Sequence, residues 1–207
     1  MTNSPEKIIS ILKDLYKNEN KTFLNFSNNF ELLIAVILSA QTKDERVNFV
    51  TKNLFKKYNS PKALAFADPL DVENIIKSCG FFKVKTKNII STSKKLVENF
   101  SGIVPLNMKD LLTLNGVARK TANIVLSYNN IIEGIAIDTH VKRVSLVLKL
   151  TKSRNPVIIE KDLMNLFDKK YWKDINSLFI LFGRNICKAK NPKCNICPFF
   201  KICTKNL

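Results

Sequence analysis

The spacing of apolar residues is helical along almost the whole chain, and this feature constrains the fold most. At the N-terminus Ser4 and Pro5 are typical of a helix start, and Ile8, Ile11 and Leu15 follow at helical intervals. No stretch alternates apolar and polar residues with the period of two that marks a half-buried strand. The sequence therefore predicts an all-α fold.

Eight further helices are predicted, and turn residues separate several of them. The helices cover residues 30–38, 46–57, 69–78, 84–99, 119–128, 139–150, 156–168 and 174–186. The joints fall at residues 59–61, 101–102, 115–116 and 154–156. A chain of 207 residues with 45% apolar residues is globular and forms one large domain or two small ones.

The charge balance is strongly basic. Lys and Arg number 34 against 17 Asp and Glu, which gives a formal net charge of +17. Such an excess favours a polyanionic partner such as nucleic acid, because neutralised phosphates release their counterions. Drift of base composition toward A and T is the alternative explanation, since Lys, Asn and Ile are abundant and Gly is scarce.

Nothing near the N-terminus resembles a secretion signal, and the longest apolar stretch, residues 32–40, is far below the roughly 20 residues that span a bilayer. We therefore expect a cytoplasmic protein without a membrane partner. In that reducing compartment, cysteines more often bind metal than form disulfides. Cys79 stands apart and is expected to be an ordinary buried thiol.

Four cysteines near the C-terminus have the spacing C-x6-C-x2-C-x5-C: Cys187, Cys194, Cys197 and Cys203. Four thiolates suit either a tetrahedral zinc ion or a [4Fe–4S] cluster. The loop lacks the two facing CxxC pairs of a zinc ribbon, but both metals stay open at this point. The loop also carries three lysines, here called the loop lysines, which are expected to meet a phosphate backbone: Lys188, Lys190 and Lys193.

Residues 114–122 predict a tight turn at Gly116 that enters a helix. Backbone N–H groups at such a turn, together with a helix N-terminus, form a site for a DNA phosphate. Lys120 falls in the first helical turn, where the helix dipole and a poorly solvated cleft would favour its neutral, nucleophilic amine. The alternative is that Lys120 is one more surface lysine.

Asp138 precedes another predicted helix. It is either a simple N-cap or a catalytic carboxylate that stabilises a cationic sugar and helps to move protons. His140 is the sole histidine, so no Ser-His-Asp triad is available, and we expect it to pack or to make one hydrogen bond.

Taken together, these motifs resemble the endonuclease III family of DNA repair glycosylases, from Leu24 to Cys203. Residues 24–27 and 30–42 resemble the early helix block of the family, and residues 114–122 resemble its helix-hairpin-helix. Residues 137–140 match its catalytic aspartate segment, and the cysteine spacing matches its [4Fe–4S] loop. The resemblance thus implies an iron–sulfur cluster rather than zinc.

The resemblance also implies two helical lobes with DNA in the cleft between them. One lobe is a six-helix block over residues 22–131, with the helix-hairpin-helix at about 108–127. The other comprises residues 1–21 and 132–207, with the cluster loop at 187–203. The implied partner is double-stranded DNA with a damaged pyrimidine or an abasic site. The protein is then expected to be a bacterial monomer, associated with the nucleoid through DNA.

By position, Lys120 matches the nucleophile of the family and Asp138 its carboxylate partner. The implied DNA contacts are Gln41 in the gap left by an extruded base, Phe81 as an apolar wedge, and the hairpin residues Gly116, Val117 and Ala118. Core packing is the alternative for Phe81. The family hairpin usually reads Leu-Pro-Gly-Val-Gly, whereas this chain has Asn115 and Ala118 in place of the proline and the second glycine. Weaker phosphate binding is expected there, because Ala at a positive φ would be strained.

The implied activity is a bifunctional one. A DNA N-glycosylase would remove oxidised or ring-saturated pyrimidines such as thymine glycol, and an abasic-site lyase would cleave on the 3′ side through a Lys120 Schiff base. The alternatives are a non-catalytic iron–sulfur DNA-binding protein, a monofunctional mismatch glycosylase and, with less support, an electron-transfer protein.

Overall fold

A computed structural model describes residues 4–18 and 24–203 of the chain. All regular secondary structure within these ranges is helical, which confirms the predicted all-α fold. The α-helices are α1 Pro5–Leu15, α2 Asn29–Leu38, α3 Asp44–Lys57, α4 Pro61–Ala65, α5 Pro69–Ile76, α6 Phe82–Phe100, α7 Met108–Leu111, α8 Arg119–Tyr128, α9 Thr139–Val147, α10 Pro156–Leu166 and α11 Trp172–Asn185. Short 3-10 helices follow at Lys169–Tyr171, Cys194–Ile196 and Phe200–Ile202.

Several helices begin with a polar cap followed directly by proline. In α4 the Ser60 hydroxyl accepts a hydrogen bond from the Ala63 N–H at 3.2 Å, and Pro61 occupies the first helical position. Proline fits there because its missing N–H would have no helical partner. The sequence predicted only a joint at residues 59–61. The five-residue helix α4 begins at the last of these residues and was missed.

The chain divides into two compact units, Thr22–Ile131 and Met1–Lys21 with Ile132–Leu207. In the described part of the first unit, α2 is buried along nearly its full length and packs against α3, α6 and α8. Helix α6 also packs against α4 and α5. Residues 24–131 contain the helices α2 to α8, of which α4 and α7 are the shortest, with five and four residues.

In the other unit, α11 packs against both α1 and α9. An ion pair between Lys13 Nζ and Asp174 Oδ2, at 2.6 Å, joins α1 to α11. The rings of Phe182 and Phe199 meet edge to face with centroids 5.3 Å apart, and this contact fixes the cysteine loop on α11. No helix in the described ranges is long and apolar enough to cross a membrane.

Candidate functional site

The hairpin between α7 and α8 turns at Gly116, whose φ of +76° lies in the left-handed region. Ala118 has a φ of −103° and forms the N-cap of α8, so the strain expected for alanine at this position does not arise. The N-cap residue Ala118 makes no side-chain cap hydrogen bond. The partial positive charge at the N-terminus of α8 favours an anion at this turn.

Helix α6 braces this hairpin through side chains that belong to no motif recognisable in the sequence. The Thr92 hydroxyl donates to the Asn115 carbonyl at 2.7 Å, and the Ser91 hydroxyl donates to Asn115 Oδ1 at 3.0 Å. Lys95 Nζ donates to the Thr113 carbonyl at 2.7 Å. Asn115, which stands where the family has proline, is thus held by two hydrogen bonds.

Lys120 is the second residue of α8 and is exposed, directly after the Gly116 turn. Exposure leaves its amine accessible to solvent and to a bound molecule. Its role as a nucleophile stays a prediction, as does phosphate binding by the hairpin.

Asp138 is the N-cap of α9, and its Oδ1 accepts a hydrogen bond from the Val141 N–H at 2.7 Å. Asp138 is therefore an N-cap, and its catalytic role stays a prediction. One carboxylate oxygen is used in the cap, and Oδ2 makes no hydrogen bond to any residue of the described ranges. A half-buried carboxylate with one free oxygen can still stabilise a cation or accept a proton.

His140 packs against Gly183, as expected for a residue without a catalytic role. A Cβ on Gly183 would lie 2.9 Å from His140 Nδ1. Burial lowers the pKa of His140, Asp138 raises it and Arg143 lowers it further. Arg143, which the sequence predictions missed, donates from Nε to the Cys187 carbonyl at 3.0 Å and from Nη2 to the Gly183 carbonyl at 2.9 Å.

Gln41 and Phe81 are exposed residues on two neighbouring turns of the first unit. Both have left-handed backbones, with φ of +54° and +57°. A Cβ on Gly80 would lie 3.4 Å from the Gln41 carbonyl oxygen, so the two turns touch. Phe81 is 67% exposed, which rules out the core-packing alternative.

The four cysteines of the C-terminal loop line one cavity whose remaining walls are mostly apolar, with Val147 and Phe182 among them. Burial raises the pKa of the Cys197 thiol, and the neighbouring thiols raise it further. Within residues 4–18 and 24–203, no three Cys, His, Asp or Glu side chains come close enough to hold a single metal ion. The loop lysines are all exposed, and Cys79 is buried in the other unit.

The chain is similar to known DNA repair proteins over most of its length. Residues 34–169 match the family described as HhH-GPD superfamily base excision DNA repair protein. Endonuclease III of Synechocystis sp. is 46% identical over 198 residues, which cover 95% of this chain and 90% of that protein. The chain belongs to the endonuclease III family. It is a base excision repair DNA glycosylase.

Solved endonuclease III structures agree with this family assignment. One solved structure is a trapped endonuclease III–DNA covalent intermediate, an estranged-adenine complex, whose protein is 38% identical to this chain. The two superimpose with a TM-score of 0.90, and the match covers 95% of this chain and 92% of that chain. A non-covalent endonuclease III–DNA complex is 37% identical with a TM-score of 0.92, and the coverage is 97% and 94%. The endonuclease III fold is therefore shared over nearly the full length.

Proposed function

We propose that this endonuclease III family member is a bifunctional glycosylase and lyase that acts, as a monomer, on duplex DNA carrying an oxidised or ring-saturated pyrimidine. The observation that carries the proposal is the exposed amine of Lys120 in the first turn of α8, directly after the tight turn at Gly116. A phosphate bound by that hairpin would bring the sugar of its nucleotide near the amine. The trapped covalent endonuclease III–DNA intermediate of the relative at 38% identity supports covalent chemistry.

The reaction begins when the damaged nucleotide leaves the base stack. Damaged bases cost least to extrude, because their stacking and pairing are already weakened. Gln41 fills the vacated gap and Phe81 wedges against the remaining stack, a role that suits an exposed aromatic side chain. The hairpin residues Gly116, Val117 and Ala118 and the loop lysines lie against the phosphates. The Val117 side chain is buried and its N–H donates to the Leu114 carbonyl at 3.3 Å, so the N–H groups of Gly116 and Ala118 are the phosphate donors of the hairpin and Val117 shapes the turn.

In the chemical steps, the nitrogen lone pair of Lys120 attacks C1′ while the C1′–N bond breaks and the base leaves with its electron pair. The attached nitrogen loses a proton, the C1′–O4′ bond breaks with its electron pair going to O4′, which takes up a proton, and a Schiff base forms between Nζ and C1′. Asp138 stabilises the developing positive charge and accepts or returns protons through Oδ2. Loss of a proton from C2′ then expels the 3′ phosphate by β-elimination.

We also propose that Cys187, Cys194, Cys197 and Cys203 hold a [4Fe–4S] cluster. Four thiols around one mostly apolar cavity are a donor set that would suit such a cluster. The endonuclease III relatives, together with the C-x6-C-x2-C-x5-C spacing, favour the cluster over a zinc ion. The bound cluster would supply structural support, because it would hold the loop lysines toward DNA.

The test is borohydride trapping on a duplex that carries one thymine glycol. Hydride reduces the Schiff base to a stable amine, so the wild type is expected to give a covalent protein–DNA band. Lys120→Ala should lose this band but keep duplex affinity. Lys109→Ala is the matched control, because Lys109 is likewise the exposed second residue of a helix in the same hairpin element.

Three other results would redirect the assignment. A band that persists in Lys120→Ala would exclude Lys120 as the nucleophile. Base release without any trapped band would indicate a monofunctional glycosylase, and binding without base release a non-catalytic DNA-binding protein.

The cluster is tested by metal analysis of anaerobically purified protein. Four irons per chain, a brown colour, and loss of both in Cys197→Ser but not in Cys79→Ser would support it. One zinc per chain would overturn it.

A further inference from the structure

Lys85, the fourth residue of α6, is a buried cation with unusual partners. Only 4% of the residue is exposed. Its Nζ donates to the Leu38 carbonyl at 2.8 Å and to the Thr42 hydroxyl at 2.7 Å. Within the described ranges it pairs with no carboxylate. Burial lowers the pKa of Lys85, as expected when a charge leaves water.

A buried ammonium is expensive, and an apolar side chain of similar length would often fill the same space at no loss of stability. Packing of the core therefore does not explain why a lysine occupies this position. Its hydrogen bonds explain it, because the two acceptors lie on either side of Gln41 in the sequence. Leu38 is the last residue of α2, and Thr42 follows Gln41 directly.

The backbone of Lys85 contacts Phe81, the second of the two residues proposed to enter the duplex. Its N–H donates to the Phe81 carbonyl at 3.0 Å and closes the first turn of α6. Gln41 and Phe81 both have a positive φ, a conformation that is strained for a residue other than glycine and persists only where the surroundings enforce it. Lys85 is thus hydrogen-bonded to both turns, through its side chain to the Gln41 turn and through its backbone to Phe81.

We propose that Lys85 is a positioning residue for base extrusion, because it holds the turns of Gln41 and Phe81 together in their left-handed conformations. This inference rests on the proposed function, in which these two side chains enter the duplex. With Lys85 in place the two turns are arranged before DNA arrives, so binding energy is not spent on ordering them. The amine of Lys85 takes no part in the chemistry.

The test compares Lys85→Met with Lys83→Met, an exposed lysine two residues earlier on the same helix. Lys85→Met is expected to melt within about 3 °C of wild type, because the lost hydrogen bonds are offset by the removed desolvation of a charge. Excision of thymine glycol should fall roughly tenfold or more, since extrusion of the base would then also require both turns to be ordered. Cleavage at a preformed abasic site should fall less than about threefold, because no base remains to be extruded. Lys85→Arg should recover much of the excision.

A second readout follows extrusion directly. In a Lys120→Ala background, 2-aminopurine beside the lesion brightens when its neighbour leaves the stack. Lys85→Met should reduce this fluorescence gain, whereas Lys83→Met should preserve it.

The outcomes separate the two claims. If wild type neither excises thymine glycol nor traps at Lys120, the proposed function fails irrespective of Lys85. If wild type does both, an unchanged ratio of excision to abasic cleavage in Lys85→Met overturns the inference alone. Equal loss on both substrates together with a large drop in melting temperature also overturns it, since Lys85 would then be a structural residue.

Discussion

Asp138 offers two roles that a pair of substitutions can separate. Its Oδ1 caps α9 by accepting the Val141 N–H, while its charge and its free Oδ2 are available for chemistry. Asp138→Asn keeps a side-chain oxygen for the cap, because Asn and Asp are nearly equal N-caps. Asp138→Ala removes both the cap and the charge.

The expected magnitudes follow from these contacts. Loss of the cap in Asp138→Ala costs about 1 kcal/mol of unfolding free energy, which lowers Tm by roughly 2–4 °C for a chain of this size. Asp138→Asn should lose only a few tenths of a kcal/mol, from the missing charge at the helix N-terminus. Both variants should slow base release by about 10²–10⁴-fold, the usual contribution of a positioned acid or base.

Single-turnover release of thymine glycol, measured beside thermal unfolding, distinguishes the roles. The control is Asp68→Ala, because Asp68 caps α5 through the Leu70 N–H at 3.1 Å and has no part in the proposed chemistry. It should lose stability but no activity. Wild-type base release in Asp138→Asn would refute the catalytic role and leave Asp138 as a cap alone.

Three further predictions concern packing, pH and salt. Gly183→Ala should destabilise the protein by roughly 1–3 kcal/mol in urea unfolding, because the new Cβ meets His140 at 2.9 Å; Gly80→Ala, whose nearest atom lies at 3.4 Å, is the control and should be near neutral. Since burial lowers the pKa of His140, the stability it contributes is complete above its unfolded pKa of about 6.5 and is lost as pH falls through the folded value. The urea midpoint should therefore drop from pH 7 to pH 5, and an equal drop in His140→Gln would assign the effect to other groups. Replacing the loop lysines together by alanine should reduce the salt slope of DNA binding by up to about three, and an unaltered slope would show that they meet no phosphate.

The all-α fold was predictable because helical periodicity extends over long segments of the sequence. The shortest helices and the exact helix ends were not predictable. The five-residue α4 is too short to show a period, although its Ser60–Pro61 start repeats the pattern of Ser4–Pro5. Helix α9 was expected to continue to residue 150 but ends at Val147, before Lys149 with its left-handed φ of +60°. Such a conformation cannot continue a right-handed helix.

Candidate site residues could be named from the sequence where a local motif carried them, whereas contacts between residues distant in sequence could not be predicted. Lys85 meets the Leu38 carbonyl 47 positions away in sequence, and Lys95 meets the Thr113 carbonyl 18 positions away. A lysine in a basic chain gives no local sign of either contact. The expectation of strain at Ala118 was wrong. The positive φ of the hairpin lies at Gly116, and Ala118 has an extended backbone conformation.

Helix α6 connects the two proposed DNA-contacting elements of the first unit. Its N-cap is Phe81, and about 20 Å along its axis Lys95 reaches the hairpin. One continuous helix thus sets the distance between Phe81 and the hairpin. The two elements are already ordered in the folded protein, so DNA binding does not have to supply the free energy of arranging them. The same helix also restrains the hairpin, which lacks the proline usual in the family. Proline would stiffen the turn by fixing φ, whereas here Ser91 and Thr92 restrain Asn115 by hydrogen bonds to its side chain and its carbonyl.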